Sequence, residues 1–188
     1  LQGLAPDLPD DLAERILDRA EGVPLYAVEI LRMLVDRGDL EPAGGSYHVR
    51  RLPERVSVPA SLHALVAARL DALDRDERAL IRDAAVLGDV FRAAALAAVA
   101  GQTAAEIAPC LGRLVHHELL VREGDDGASM ADHLRFSHAL VREIAYGTLA
   151  RRDRRTLHLA AADHYAGLGD PELSGEVASH VLAAYRVG

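Results

Sequence analysis

The sequence contains no lysine and no tryptophan, and Cys110 is its only cysteine. Because the Gly-x-x-x-x-Gly-Lys loop of nucleotide hydrolases needs its lysine to hold phosphates, this chain contains no such loop. A single cysteine excludes an internal disulfide framework and a thiolate metal site. All 21 basic residues are arginines, which stay charged and make forked contacts with carboxylates.

Long apolar runs and an excess of positive charge are also absent. There is no run of about 18 apolar residues, and no secretory signal precedes the first predicted helix. We therefore expect a cytoplasmic location and no membrane partner. The formal net charge of −8 disfavours nucleic-acid binding, since that affinity comes from basic residues that displace counterions. One dense cluster of basic residues is present, and it consists of Arg151, Arg152, Arg154 and Arg155.

Alanine and leucine, which are strong helix formers, dominate a composition that is half hydrophobic and only 4% aromatic. Apolar residues recur at helical spacing, so we predict a mainly α fold. The predicted helices cover residues 8–20, 24–37, 76–87, 93–100, 103–117, 138–149, 154–168 and 171–186, and another opens within 58–61 and ends at Leu73. Thr103 and Glu106 have the spacing of a capping box.

Three segments depart from the helical pattern. Residues 38–53 predict a short hairpin around the glycine turn at 42–46, and residues 52–59 predict an extended linker with two prolines. Residues 119–121 and 134–136 predict strands, with a turn at 124–127 between them. From about 75 to 137 the order is helix, helix, helix, strand, turn, strand, which is the order of a winged helix. The last two helices resemble the pair that starts a helical repeat array.

The sequence offers no complete catalytic or metal site. It has neither a Gly-x-Ser-x-Gly nucleophile turn nor a His-Glu-x-x-His pair. Adjacent His116 and His117 would point about 100° apart on a helix, which suits a shared metal poorly. His158 and His164 are six residues apart and miss a common helix face. We therefore expect no enzymatic activity and no metal from this chain alone.

Two stretches are more informative: EGVPLYAVE at 21–29 and FSHALVREIAY at 136–146. By composition alone, the first is a helix stop followed by a proline-started helix, and the second is a strand that runs into an amphipathic helix. In this order they resemble the regulatory region of STAND-type AAA+ ATPases, as in bacterial cyclase-linked ATPases and large LuxR-type transcriptional regulators. The stretches VPASLHALVAARLDAL at 58–73 and ERALIRDAAVLG at 77–88 continue the resemblance, which weakens after about residue 165.

The resemblance implies three residues that contact ATP or ADP in a full-length parent protein, and no cofactor in this chain alone. The family's lid has a Gly-x-Pro turn that packs against adenine, which corresponds to Gly22 and Pro24. A Met-His-Asp motif of eukaryotic relatives places its histidine near the β-phosphate of ADP, which corresponds to His138. Ser137 and Ala139 replace the flanking Met and Asp, so the role of the aspartate is not carried over.

The resemblance also implies a mainly α architecture in three parts. These are a helical lid with a short hairpin at 1–55, a winged-helix domain with a small β-wing at 56–140, and the start of a TPR-like helical sensor at 141–188. The implied function is a regulatory fragment that closes over a nucleotide held by an upstream NTPase domain and signals to an output domain. A protein or small-molecule inducer would bind at the C-terminal helices. The alternatives are a DNA-binding winged helix and a protein-interaction module.

Overall fold

The computed structural model describes residues 8–43, 46–50, 61–123 and 133–187. Within these ranges the chain forms nine α-helices, one 3-10 helix (Pro171–Leu173) and five short strands. The helices are α1 (Asp10–Ala20), α2 (Pro24–Asp36), α3 (Leu62–Ala72), α4 (Arg75–Leu87), α5 (Ala93–Ala100), α6 (Ala104–His116), α7 (Ala139–Gly147), α8 (Arg151–Gly167) and α9 (Ser174–Arg186). The strands are β1 (Leu40–Ala43), β2 (Ser46–Val49), β3 (Val90–Arg92), β4 (Leu120–Glu123) and β5 (His133–Phe136).

The mainly α prediction is confirmed, and each predicted helix is present with ends that differ by a few residues. The predicted hairpin is also confirmed, since β1 and β2 pair in antiparallel register. Strand β3 was not predicted, because three residues with one buried side chain, Phe91, give no readable period. The predicted linker at 52–59 and the turn residues 44–45 and 124–127 lie outside the described residues.

The chain divides into two compact units between Arg69 and Leu70, at a point within α3. The first unit contains α1, α2, the β1–β2 hairpin and the start of α3. The second contains the remaining elements. The three-part division at residues 55 and 140 stays a prediction.

The core of the first unit lies between α1 and α2. Leu12 and Ile16 on α1, and Ile30 and Leu34 on α2, are each at most 1% exposed. Each pair is four residues apart, which puts both side chains on one helix face. Leu40 of β1 joins the same core, and Tyr47 and Val49 of β2 pack against it, so both strands attach the hairpin to the two helices.

Helix α4 is the centre of the second unit and packs against α5, α6, α7 and α8. It begins with a capping box that was not predicted. The Glu77 N–H donates to Asp74 Oδ1 at 2.8 Å, and the Asp74 N–H donates to Glu77 Oε2 at 3.2 Å. Ile81 and Ala84 on the buried face are both 0% exposed.

The second unit also contains a three-stranded antiparallel sheet in the order β3-β5-β4. Strand β5 lies in the middle, with Leu134 opposite Phe91 and Phe136 opposite Leu120. The predicted capping box of α6 is confirmed, because the Glu106 N–H donates to Thr103 Oγ1 and the Glu106 carboxylate accepts from the Thr103 N–H. The end of β5 leads directly into α7, which fixes the position of His138.

In the described part of the chain, no single helix has both the length and the apolar composition needed to cross a membrane. Helices α5 and α6 reach those limits only when counted together, as a pair bent by 111°.

Candidate functional site

The turn between α1 and α2 carries the two predicted lid residues, Gly22 and Pro24. Helix α1 ends at Ala20; its C-cap residue Glu21 has a left-handed φ of 48°, and Gly22 follows with a φ of 80°. Pro24 is the first residue of α2, a position where a helix needs no backbone N–H and where the fixed φ of proline fits. The Val23 carbonyl accepts from the Tyr26 N–H at 3.1 Å. Backbone geometry therefore defines this turn.

The surface of this turn is small and, apart from Glu21, apolar. Glu21, Gly22, Val23 and Pro24 are all exposed, and Val23 is exposed by 46%. Tyr26, two residues after Pro24 in α2, is buried at 7% exposure. The proline ring and the Val23 side chain offer van der Waals contact to a flat apolar ligand, and proline has no N–H to leave unpaired.

We expect Gly22→Ala to lower the free energy of unfolding of the first unit by about 1 kcal/mol, because a Cβ is disfavoured in the left-handed region. No heavy atom lies within 4 Å of the added Cβ, so the cost comes from the backbone and not from a clash. The matched control is Gly112→Ala in α6, whose added Cβ also meets nothing within 4 Å. It should raise stability by about 0.5–1 kcal/mol through helix propensity. Urea unfolding followed by circular dichroism measures both, and equal changes of one sign would contradict this account.

His138 is the N-cap residue of α7, with an extended backbone at φ −147° and ψ 143° and no side-chain capping bond. Its side chain is half-buried, and its carbonyl accepts from the Val141 N–H at 3.0 Å. The first N–H groups of a helix have no intrahelical partners and form the positive end of its dipole. The position can therefore favour an anion such as a phosphate.

Ser137 sits between the end of β5 and His138. Its N–H donates to the Leu119 carbonyl at 3.1 Å, which fixes the backbone at the start of α7. Its Oγ is buried and has no hydrogen-bond partner among the described residues.

The predicted site residues fall into two groups. Gly22 and Pro24 share one turn of the first unit, and His138 begins α7 of the second unit. The structure brings the first two together. That all three contact one nucleotide stays a prediction.

A cavity of about 290 Å³ lies between α4 and α6. Its lining includes the carboxylates of Asp76, Asp83 and Glu106 and the Cys110 thiol. Burial raises the pKa of Asp83 to about 6, against the opposing effect of the Arg82 charge. Burial also raises the pKa of Cys110 to about 11, so its reactive thiolate form is scarce at neutral pH. This agrees with a packing role for Cys110.

The arginine on α6 is engaged within the second unit. The Arg113 Nε donates to Glu77 Oε1 at 2.5 Å, and its Nη2 lies 3.3 Å from Asp74 Oδ2. Glu77 is buried at 4% exposure, so its carboxylate needs this partner. The guanidinium is therefore held by carboxylates at the start of α4.

A buried pair of histidines, which we call the histidine pair, was not predicted from the sequence: His158 lies on α8 and His180 on α9. The two Nδ1 atoms are 2.9 Å apart, and the residues are 6% and 5% exposed. No spacing rule links side chains 22 positions apart on different helices.

The described residues contain no group of three or more His, Cys, Asp or Glu that could hold a metal ion. His116 and His117, which the sequence marks as poor metal ligands, are not part of such a group either.

Comparison with known protein families, curated proteins and solved structures gave no significant match to this chain. The function proposed below therefore depends on the sequence motifs and on the geometry of the two units.

Proposed function

We propose that this chain is the regulatory region of a STAND-type AAA+ ATPase. It closes over an adenine nucleotide held by a phosphate-loop domain of the parent protein and signals the bound state to a cyclase or transcriptional output domain. One observation carries the proposal: an exposed Gly-x-Pro turn opens α2, and later a histidine caps α7 directly after the middle strand of a small sheet. The resemblance implies these two features in this order.

The element order of the second unit supports a winged helix. Helix α4 is followed by β3, α5, α6, β4 and β5, and the strands pair in the order β3-β5-β4. In a winged helix, a short strand after the first helix pairs with the returning strand of the wing in this way. The element order that includes β3 therefore fits a winged helix better than the order predicted from the sequence, which lacked this strand.

The chemistry at His138 supports a nucleotide switch. A phosphate near the ring would favour the protonated histidine, and the N-terminal end of α7 would add to the attraction. A contact made only in the closed state gives the closed state a higher affinity for ADP, which is what a ligand-driven switch requires. Pro24 would supply an apolar wall for the adenine ring.

The C-terminal helices support a TPR-like sensor. Helices α8 and α9 pack against each other, and α8 also packs against α5. On α9, Leu182 is 55% exposed and Tyr185 is 77% exposed. Because Leu182 and Tyr185 are three positions apart, they lie on one face of α9 and form an exposed apolar strip. An inducer, either protein or small molecule, would bind at these helices.

The DNA-binding alternative is less favoured. In a DNA-binding winged helix, α6 would enter the major groove and its basic residues would contact phosphates and bases. Arg113 is instead held by Glu77 and Asp74. With a net charge of −8 on the chain, α6 lacks a phosphate footprint.

The first test of the proposal is the full gene. A phosphate loop should be encoded within about 300 residues upstream of Leu1, which is one to two domain lengths. If the full gene encodes no phosphate loop, the proposal is wrong.

In the full-length protein, His138→Ala should weaken ADP binding about tenfold, which corresponds to roughly 1.4 kcal/mol for one charge-assisted hydrogen bond. Isothermal titration calorimetry measures the affinity. The matched control is His116→Ala, an exposed histidine on α6, which should leave ADP binding unchanged. The chain of 188 residues alone should not bind ADP with micromolar affinity. Such binding, or equal effects of the two substitutions, would contradict the assignment.

A further inference from the structure

The histidine pair is part of a continuous hydrogen-bonded chain of side chains from three helices. The Tyr146 hydroxyl of α7 lies 3.0 Å from His158 Nε2, and His158 Nδ1 lies 2.9 Å from His180 Nδ1. The Tyr165 ring stacks on His180 with 5.7 Å between centroids and 17° between planes. The chain connects α7, α8 and α9 inside the second unit.

The Nδ1–Nδ1 contact requires one shared proton. A neutral histidine carries one ring proton, so one Nδ1 must donate and the other must accept. If His158 Nδ1 donates, its Nε2 accepts from the Tyr146 hydroxyl. If His180 Nδ1 donates, His158 Nε2–H donates to the Tyr146 oxygen. Both arrangements satisfy every nitrogen of His158.

The pair can take up one further proton from solvent and keep this contact. With His180 as the Nδ1 donor, the extra proton adds to His180 Nε2, and both rings keep their hydrogen bond. A second proton has no such place, because it must add to the Nδ1 that accepts. Two N–H groups would then face each other across 2.9 Å, and the contact would become repulsive.

The surrounding charges set the order of the two steps. Arg142 of α7 and Arg154 of α8 oppose a positive charge on His158, whereas Glu176 of α9 favours one on His180. Helix α5 contributes only apolar residues. Three further elements that pack nearby carry ionisable groups. Arg92 of β3 acts on Tyr165, and Glu172 lies in the 3-10 helix. Arg82 and Asp83 of α4 line a cavity together with the first turns of α8. His180 therefore takes the first proton and His158 the second.

We propose that the histidine pair makes the packing of α9 against α8 sensitive to acid. The hydrogen bond between His158 and His180 connects the two helices while at most one Nδ1 atom carries a proton. This hydrogen bond is lost, and α9 separates from α8, when both Nδ1 atoms are protonated. This property is separate from the proposed nucleotide switch and would persist if that switch were disproved.

The direction of the pH dependence follows from burial. Burial, together with His180, Arg142 and Arg154, lowers the pKa of His158 to about 4, and burial also lowers the pKa of His180. A solvent-exposed histidine titrates near 6.5, so the opened form binds more protons than the closed form as the pH falls below that value. The contact between α8 and α9 at the histidine pair is therefore most stable above about pH 6.5, and its stability falls progressively towards pH 4.

Hydrogen exchange of α9 amides in the full 188-residue chain tests the proposal. After correction for intrinsic exchange, protection should fall at least about tenfold between pH 7 and pH 5. In the variant carrying His158→Gln and His180→Asn, the protection of α9 should lose this pH dependence. The control His116→Asn removes an exposed histidine from α6 and should keep it. Equal pH dependence in wild type and the double variant would overturn the proposal.

A second measurement needs no substitution. Nitrogen-15 spectra of the imidazole rings should show complementary tautomers, one ring with Nδ1–H and the other with Nε2–H, at neutral pH. His158 should remain neutral at pH 5, although this is below the ordinary histidine pKa of about 6.5. Titration of both His158 and His180 at the ordinary histidine value of about 6.5, or two Nε2–H tautomers, would overturn the proposal even if the double variant fails to fold.

Discussion

Replacing Arg69 with methionine is expected to lower the free energy of unfolding of the first unit by about 3 kcal/mol. Removing one partner of a buried ion pair costs about 3–5 kcal/mol because it leaves a charge in a poorly solvated place. The lower end of this range applies here, because Arg32 also contacts the remaining carboxylate of Glu29 at 2.7 Å. Urea unfolding at neutral pH measures the change.

The expected size rests on the burial of both partners. Arg69 Nη1 lies 2.5 Å from Glu29 Oε2, and the two side chains are 3% and 1% exposed. The Arg69 Nε also donates to Asp36 Oδ2 at 3.0 Å. Arg69 therefore links α3 to two acidic residues of α2, all within the first unit.

Two controls separate the buried charge from loss of packing. In the double variant Glu29→Met with Arg69→Met, both charges of the buried pair are gone, so most of the stability should return. Arg50→Met removes the partner of Glu41 in an exposed pair, 65% and 51% exposed, and should change stability little. A double variant as unstable as Arg69→Met would show that packing dominates.

Replacing Ile81 with alanine is expected to lower the free energy of unfolding of the second unit by about 2–5 kcal/mol. Ile81 is 0% exposed on α4, the helix that packs against four others. Because neighbours on several elements would all have to move to fill the space, the cavity should close poorly. The cost should therefore lie in the upper half of that range.

A graded series tests this explanation of the Ile81 effect. Ile81→Val removes one methylene and should cost about 0.5–1.5 kcal/mol. Leu182→Ala removes three carbons, as many as Ile81→Ala, from a side chain that is 55% exposed, and it should change stability by less than about 0.5 kcal/mol. Thermal and urea unfolding measure all three, and a Leu182→Ala cost equal to that of Ile81→Ala would contradict the assignment of α4 as the central core helix.

The helices were predictable because their signals are local. Thr103 and Glu106 specify the start of α6 from four adjacent positions, and glycine specifies the end of α5 at Gly101. The end of α6 had no such signal, since Glu118 takes the left-handed conformation with φ 53° in place of a glycine. Strand β3 depends on its pairing with β5, and a three-residue segment does not encode a distant partner.

The candidate site was predictable where it depends on backbone chemistry. Gly22 and Pro24 define a turn through the positive φ of one and the fixed φ of the other, so the sequence was sufficient. The histidine pair depends on how α8 packs against α9, and His158 was instead compared with His164 on its own helix. The burial of Arg69 was also not predictable, because nothing in the sequence distinguishes a buried arginine from the exposed ones.

Cys110 gives this protein a built-in chemical reporter. It is the only thiol in the sequence, it is buried where α6 faces α4, and burial raises its pKa to about 11. Burial and the raised pKa therefore slow the reaction of a thiol-specific reagent with the folded protein, and its rate should rise when α6 separates from α4. With no lysine in the chain, amine-directed dyes would leave every side chain unmodified. A single fluorophore at Cys110 can thus be installed without mutagenesis, and its attachment rate reports opening of the second unit alone.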